Sequence, residues 1–146
     1  MDIFIRYLHF ISIFTIVGSL VGEHLFLAKK LPRAIVKKMS MIDAAYGLSS
    51  VTLLISGFMM WFYYGKGAEF YTNNWIFQLK VGLAILLGLL SLPPTIYFLK
   101  HRKGEQSESI EIPFYIRACM WLEMLVLLII PLCAVLMAKG IGYTPI

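Results

Sequence analysis

The chain has 146 residues, of which 60% are hydrophobic and 14% charged, with a mean hydropathy of +0.79 and a formal net charge of +5. A soluble domain of this length carries about 25% charged residues, so this composition excludes a surface solvated by water on all sides. The basic excess falls in connections between apolar segments with no aromatic-interleaved basic surface, which argues against nucleic-acid binding.

Four apolar segments follow in chain order, at about 2–28, 39–64, 75–99 and 114–138. Each approaches or exceeds the roughly 20 residues that cross about 30 Å of hydrocarbon as a helix. A spanning strand would need only about 10 alternating residues. The expected fold class is therefore all-α: a polytopic, antiparallel four-helix transmembrane bundle forming a single domain over residues 1–146, with the lipid bilayer as its first partner.

The first segment opens MDIFIRYLHF and lacks a small-residue cleavage pattern, so it is expected to persist as a helix and serve as its own insertion signal. It carries Arg6 and His9 near its start, the small-xxx-small pair Gly18 and Gly22, and then Glu23 and His24 just before the run breaks into lysines. The first connection holds Lys29, Lys30, Arg33, Lys37 and Lys38. The second segment begins with Asp43 a turn inside and has a narrow side of Ala44, Ala45, Gly47, Ser49 and Ser50. Small residues of this kind permit close helix approach.

The second connection, YYGKGAEFYTNN, has one lysine and a cluster of interfacial aromatics, Tyr63, Tyr64 and Tyr71, followed by Trp75. The third segment carries Lys80 near its start and Pro93 and Pro94 near its end, where two lost backbone donors should distort the helix. Lys100, His101, Arg102 and Lys103 follow, ahead of Glu105, Glu108 and Glu111. The fourth segment carries Arg117, Glu123 and a helix-interrupting Pro131. The positive-inside rule places the first and third connections in the cytoplasm and both termini outside, N-out and C-out.

Depth sorts the ionisable residues into two layers. His9 lies about seven residues into the first helix and Lys80 about five into the third, a common depth of about 8–10 Å from the outer face. Glu23, His24, Asp43 and Arg117 share a level near the inner face, and Glu123 sits about 13 Å in from it. Ionisable groups at such depths are costly unless paired or hydrated, so each is a site residue by default, with interfacial ion pairing or a satisfied bundle histidine as the bland reading. Cys119 and Cys133 stand about 21 Å apart on one helix, too far to bridge. No GxGxxG, GxxxxGK, HExxH or GxSxG element occurs, so any chemistry comes from residues inside the bundle. A haem would need an axial nitrogen, and His9 and His24, about 22 Å apart along one helix, cannot clamp a single iron.

The pieces YLHFISIFTIVGSLVGEHLFL, MIDAAYGLSSVTLLISG, KGAEFY and FQLKVGLAILLGLLSLPPTIYFLK resemble an uncharacterised bacterial family of predicted four-helix inner-membrane proteins across nearly the whole chain. More distantly, the layout is similar to the protoporphyrinogen oxidase family HemJ and the CopD-like membrane domains. His9 in YLHF matches the first-helix histidine of that group and Lys80 in QLKVGL its third-helix lysine, with Arg117 and Glu123 near its last-helix arginine and acid. This resemblance implies a bacterial cytoplasmic membrane location and haem b held through His9 as the metal ligand and Lys80. It also implies redox chemistry on a porphyrinogen or quinone, with Lys80, Arg117 and Glu123 as the catalytic groups. The added GEH motif at Gly22, Glu23 and His24, and the lack of a histidine partner for His9, depart from that pattern. Three functional readings follow: a haem b-associated membrane redox protein, an accessory or assembly subunit of a larger membrane complex or homo-oligomer, and a proton-coupled small transporter built on Glu23, Asp43 and Glu123.

Overall fold

A computed structural model describes residues 1–144. Four long helices form it: α1 Asp2–Phe26, α2 Arg33–Met59, α4 Trp75–His101 and α5 Phe114–Ala138, with a one-turn helix α3 Ala68–Thr72 in the second connection. All four are long and apolar enough to cross a membrane. The packing closes a four-sided bundle in the order α1, α2, α4, α5. The tight seams join α1 to α2 and α4 to α5, α2 meets α4 across the middle, and the seam from α5 back to α1 is the loosest of the four.

The bundle is turned inside out relative to a soluble one. Ser12, Ser19, Glu23, Ser40, Asp43, Ser56 and Glu123 are buried within the spanning helices, while Phe4, Phe14, Leu48, Leu89, Leu128 and Leu132 stand on the outside. Lipid accepts the apolar exterior, and helices satisfy their own backbone groups in hydrocarbon, so only the side chains choose which face turns inward.

Both termini and the second connection occupy one end of the bundle. Arg6 donates to the Tyr64 carbonyl (3.0 Å) and pairs with Asp2 (2.9 Å), while the C-terminal tail pairs Tyr143 with Asn74 and sends Thr144 N to the Asn73 carbonyl (3.1 Å). Asn74 is fully buried and caps α4, accepting from the N–H groups of Ile76 (3.0 Å) and Phe77 (3.2 Å) and donating to the Ile141 carbonyl (3.1 Å). Just past the carboxyl end of α5, at this same end of the bundle, Gly140 takes φ 78°. Its N–H reaches the Met137 carbonyl (2.9 Å) and that of Ile141 the Leu136 carbonyl (3.2 Å), the paired bonds of a Schellman stop.

The opposite, basic end differs from expectation. The connections at 27–32 and 102–113 are not free loops: β1 Lys30–Pro32 and β2 Ser109–Glu111 pair antiparallel, Leu31 opposite Ile110. The ladder continues through Arg33 N to the Glu108 carbonyl (2.9 Å) and Ile112 N to the Lys29 carbonyl (2.8 Å). Leu31, Ile110 and Ile112 close over Val36, Met39, Phe98, Ile116 and Met120. Arg33 donates to the carbonyls of His101 (2.8 Å) and Lys103 (2.6 Å) and pairs with Glu108, fastening one hairpin to the other.

Three helix ends shift accordingly. α1 stops at Phe26 rather than 28, and α2 starts at Arg33 rather than 39 because Pro32 sits at its cap and the ladder orders the intervening basic residues. α4 runs through Pro93 and Pro94 to His101 instead of ending at 99. The second span closes in a π-helical turn, Met60–Tyr64. Gly65 follows it where any Cβ would lie 2.2 Å from the Met60 carbonyl oxygen, so no other residue fits that turn.

Candidate functional site

Three acids from three helices converge near the basic end. On α1, Ile16, Leu20 and Glu23 repeat at helical spacing along the inward stripe; on α2, Met39, Asp43 and Tyr46; on α5, Ile116, Met120 and Glu123. The acids therefore occupy core positions in otherwise apolar patterns. Glu23, Asp43 and Glu123 are 2%, 5% and 3% exposed, and Tyr46 beside them is 2% exposed. The carboxyl of Glu23 lies within electrostatic reach of those of Asp43 and Glu123, and Tyr46 approaches Glu123 without closing a hydrogen bond. Thr95, one residue past the α4 prolines, faces Asp43 and brings in the fourth helix.

No cation neutralises this group. The two ion pairs among the described residues, Arg6 with Asp2 and Arg33 with Glu108, lie at opposite ends of the bundle. One carboxyl oxygen each of Glu23 and Glu123, the Tyr46 hydroxyl and the Ser40 hydroxyl are buried with no hydrogen-bond partner. Buried polar atoms in folded proteins are nearly always paired, so the orphans on Glu23, Glu123 and Tyr46, which lie within electrostatic reach of one another, mark a polar site inside the bundle. Among the described residues no group of three or more His, Cys, Asp and Glu is arranged to hold a metal ion.

His24 and Arg117, expected in the same layer, stand beside it and not in it. His24 donates from Nδ1 to the Leu20 carbonyl (2.8 Å) and meets the Trp121 ring edge-on at 5.0 Å, bridging the loose α1–α5 seam. Its Nε2 is buried and unpaired. Arg117 pairs with none of the acids; its guanidinium lies 5.9 Å from the Phe114 ring, on the outward side of α5. The reason is angular: Ile116, Met120 and Glu123 take the inward stripe, and Arg117 sits about 100° round from Ile116. His101, although α4 extends to include it, stacks on Tyr97 at 4.0 Å and donates to the Tyr97 carbonyl (2.9 Å), engaged within its own helix.

The layer near the termini is quieter. His9 on α1 reaches α2, with Nδ1 2.9 Å from the Ser56 hydroxyl. Ser56 is itself within bonding distance of the Thr52 (2.8 Å) and Leu53 (3.0 Å) carbonyls. With the Ser56 proton given to one of those carbonyls, the imidazole proton sits on Nδ1 and donates to Ser56, leaving the lone pair on Nε2. The ring lies against Gly57 of α2, where an added Cβ would be in ordinary van der Waals contact with His9 Cε1 at 3.5 Å. Lys80 on α4 is half-buried and within electrostatic reach of His9, although α1 and α4 stand diagonally across the bundle.

Sequence reasoning missed Tyr46, Ser40 and Thr95 around the acids, and Ser56 behind His9. Tyr46 and Ser40 lie three residues either side of Asp43, one helical turn away on the same face, which is the signal that identifies them. Thr95 carries no such signal, since it reaches the site from another helix. Neither a curated protein nor a solved structure matches the chain significantly. A family model described as "Predicted membrane protein (DUF2214)" matches residues 1–142, and the chain belongs to that membrane-protein family.

Proposed function

We propose that this protein binds and releases protons at Glu23, Asp43 and Glu123, and couples that exchange to movement of a small solute through the membrane. The observation that carries this reading is the convergence of three buried carboxyl groups with no basic partner. Three anions at one level in a low-dielectric interior would each cost several kcal/mol, so the group takes up compensating positive charge, as protons or as a passing cation. Tyr46 and Thr95 supply hydroxyls that relay or orient it, and the loose α1–α5 seam beside Glu23 and Glu123 offers the nearest way in. Four helices are few for an independent transporter, so the reading includes a second copy or a membrane-protein partner.

Dicyclohexylcarbodiimide, which modifies protonated carboxyl groups in apolar sites, tests this directly in purified protein at neutral pH. Peptide mapping should find the adduct on Glu23 or Glu123, and the Glu23→Gln, Glu123→Gln double variant should lose it. Reconstituted vesicles should pass protons in a carbodiimide-sensitive way when the solute is present. An adduct confined to the exposed acids at 105–111 would defeat the proposal.

A second reading rests on His9. Its Nδ1 is held by Ser56 and its Nε2 lone pair is left over, the tautomer that ligates iron, and the nearby Lys80 would pair with an anionic substituent. These features support the likeness to HemJ and CopD-like domains and a haem b at His9, which when bound would supply one-electron chemistry toward a porphyrinogen or quinone. Oxidised and dithionite-reduced visible spectra of protein made with added haem precursor decide it. A reduced alpha band lost in His9→Ala supports it; a colourless, folded protein ends it.

A further inference from the structure

We infer that the outward side of α5 near the basic end is a binding site for the headgroup of an anionic phospholipid, with Arg117 as its ligand for the phosphate. A hollow of about 460 Å³ opens there, lined by Phe114, Arg117, Ala118, Trp121 and Leu122. Its walls are apolar or aromatic, and its single charged group is Arg117. That cation has no acidic partner among the described residues, and its Nε is buried and unpaired. A guanidinium left without a carboxylate at the level of a membrane interface matches a phosphodiester, which it can hold through two parallel N–H donors.

The surroundings fit a lipid in particular. Phe114 and Trp121 are 77% and 64% exposed, and exposed aromatic rings belong at the headgroup level of a bilayer. The hollow lies at the end that bears both basic connections, which the positive-inside rule assigns to the cytoplasmic leaflet with its anionic lipids. A helical side chain leans toward the amino terminus of its helix, so Arg117 reaches back over Phe114. The N–H groups of Phe114, Tyr115 and Ile116 there donate no hydrogen bond to a described residue, whereas those of Arg33 and Ala34 at the start of α2 are taken by the Glu108 and Gln106 carbonyls. The site is independent of proton binding at the acids.

Trp121 reports on the hollow from within. In a Trp61→Phe, Trp75→Phe background it is the sole tryptophan of the chain. The protein is reconstituted in phosphatidylcholine bilayers containing either brominated phosphatidylglycerol or brominated phosphatidylcholine at equal fraction. One cationic contact at the membrane surface corresponds to about a fivefold local enrichment of the anionic lipid, so quenching by the brominated phosphatidylglycerol should be correspondingly stronger. Arg117→Gln should bring the two quenchers level, Arg117→Lys should keep part of the preference, and Lys100→Gln, on α4 in a separate hollow beside Tyr115, should leave it intact. Equal quenching by the two lipids in the Arg117 protein overturns the proposal whatever the variants do. A preference that survives Arg117→Gln and falls with Lys100→Gln overturns it too, by assigning the effect to the general charge of that face.

Discussion

The two polar layers of this bundle face the same physics and resolve it differently. Near the termini, His9 crosses to Ser56, Arg6 to Asp2 and the Tyr64 carbonyl, and Asn74 satisfies three backbone groups at once. Near the basic end, Glu23, Tyr46, Glu123, Ser40, His24, Arg33 and Arg117 each keep a buried atom with no partner, against the Trp61 ring nitrogen among the described residues near the termini. Depth does not explain the contrast, since both layers lie within a few turns of an interface. A layer whose polar groups satisfy one another holds helices together, and a layer whose groups do not is available to protons or ligands.

The largest effect expected from breaking this contrast is in the satisfied layer. Asn74→Ala removes the cap of α4 and the tie to the C-terminal tail together, leaving the N–H groups of Ile76 and Phe77 and the Ile141 carbonyl without their partner. The lost cap on the two N–H groups costs about 1 kcal/mol and the stranded Ile141 carbonyl about 1–2 more, so the variant should lose roughly 2–3 kcal/mol in reversible unfolding from mixed micelles. A change near zero would show that this end is held by its aromatic packing alone.

The unsatisfied layer should respond with the opposite sign. Glu123→Leu replaces a buried acid that has no cation with an apolar side chain of similar size, and relieving that desolvation should leave stability unchanged or raise it by about 1–2 kcal/mol. The same variant should lose carbodiimide reactivity at that position and proton flux in vesicles. Destabilisation in the unfolding measurement would mean that Glu123 has a partner that matters to the fold, and the two layers would then be alike.

Ser56→Ala offers a smaller, graded check. Interhelical hydrogen bonds inside membranes average about 0.6 kcal/mol, so this change should cost about that amount. It also frees Nδ1 of His9, which nuclear magnetic resonance of the labelled imidazole would register as a change of tautomer. An unchanged ring signal would show that His9 takes its orientation from elsewhere.

Much of this is legible in the sequence, and the exceptions have physical causes. Span number and approximate placement follow from apolar length, because hydrocarbon thickness leaves little choice. Depth put Glu23 and Asp43 level but left Glu123 deeper; Glu123 joins them because α2 begins at Arg33 rather than 39, which carries Asp43 about 15 Å into its helix. Angle was not legible in the same way: Arg117 lies on the lipid side of α5, about 9 Å shallower than Glu123, and only the phase of Ile116, Met120 and Glu123 shows which face it takes. The β1–β2 ladder had a faint signature in the alternation of Ser109, Ile110, Glu111 and Ile112, masked by the basic run that opens the same connection. Thr95 was out of reach because its role depends on which helix packs beside α2.

The finest test of the contrast is Tyr46→Phe. Its hydroxyl is buried among Glu23, Asp43 and Glu123, close to the Glu123 carboxyl but not in hydrogen-bond geometry with it. In a purely structural cluster, deleting an unpaired hydroxyl would relieve a desolvation cost and leave every other property alone, with a stability change of at most about 1 kcal/mol in the favourable direction. In a proton-binding cluster, the same hydroxyl is the one neutral group placed to donate to Glu123 whenever that acid is ionised. Its removal should then slow proton release while hardly altering stability. The two are separated by following proton flux and unfolding in the same preparation: a flux defect at unchanged stability assigns Tyr46 to proton handling, and a small gain in stability with unaltered flux returns it to packing.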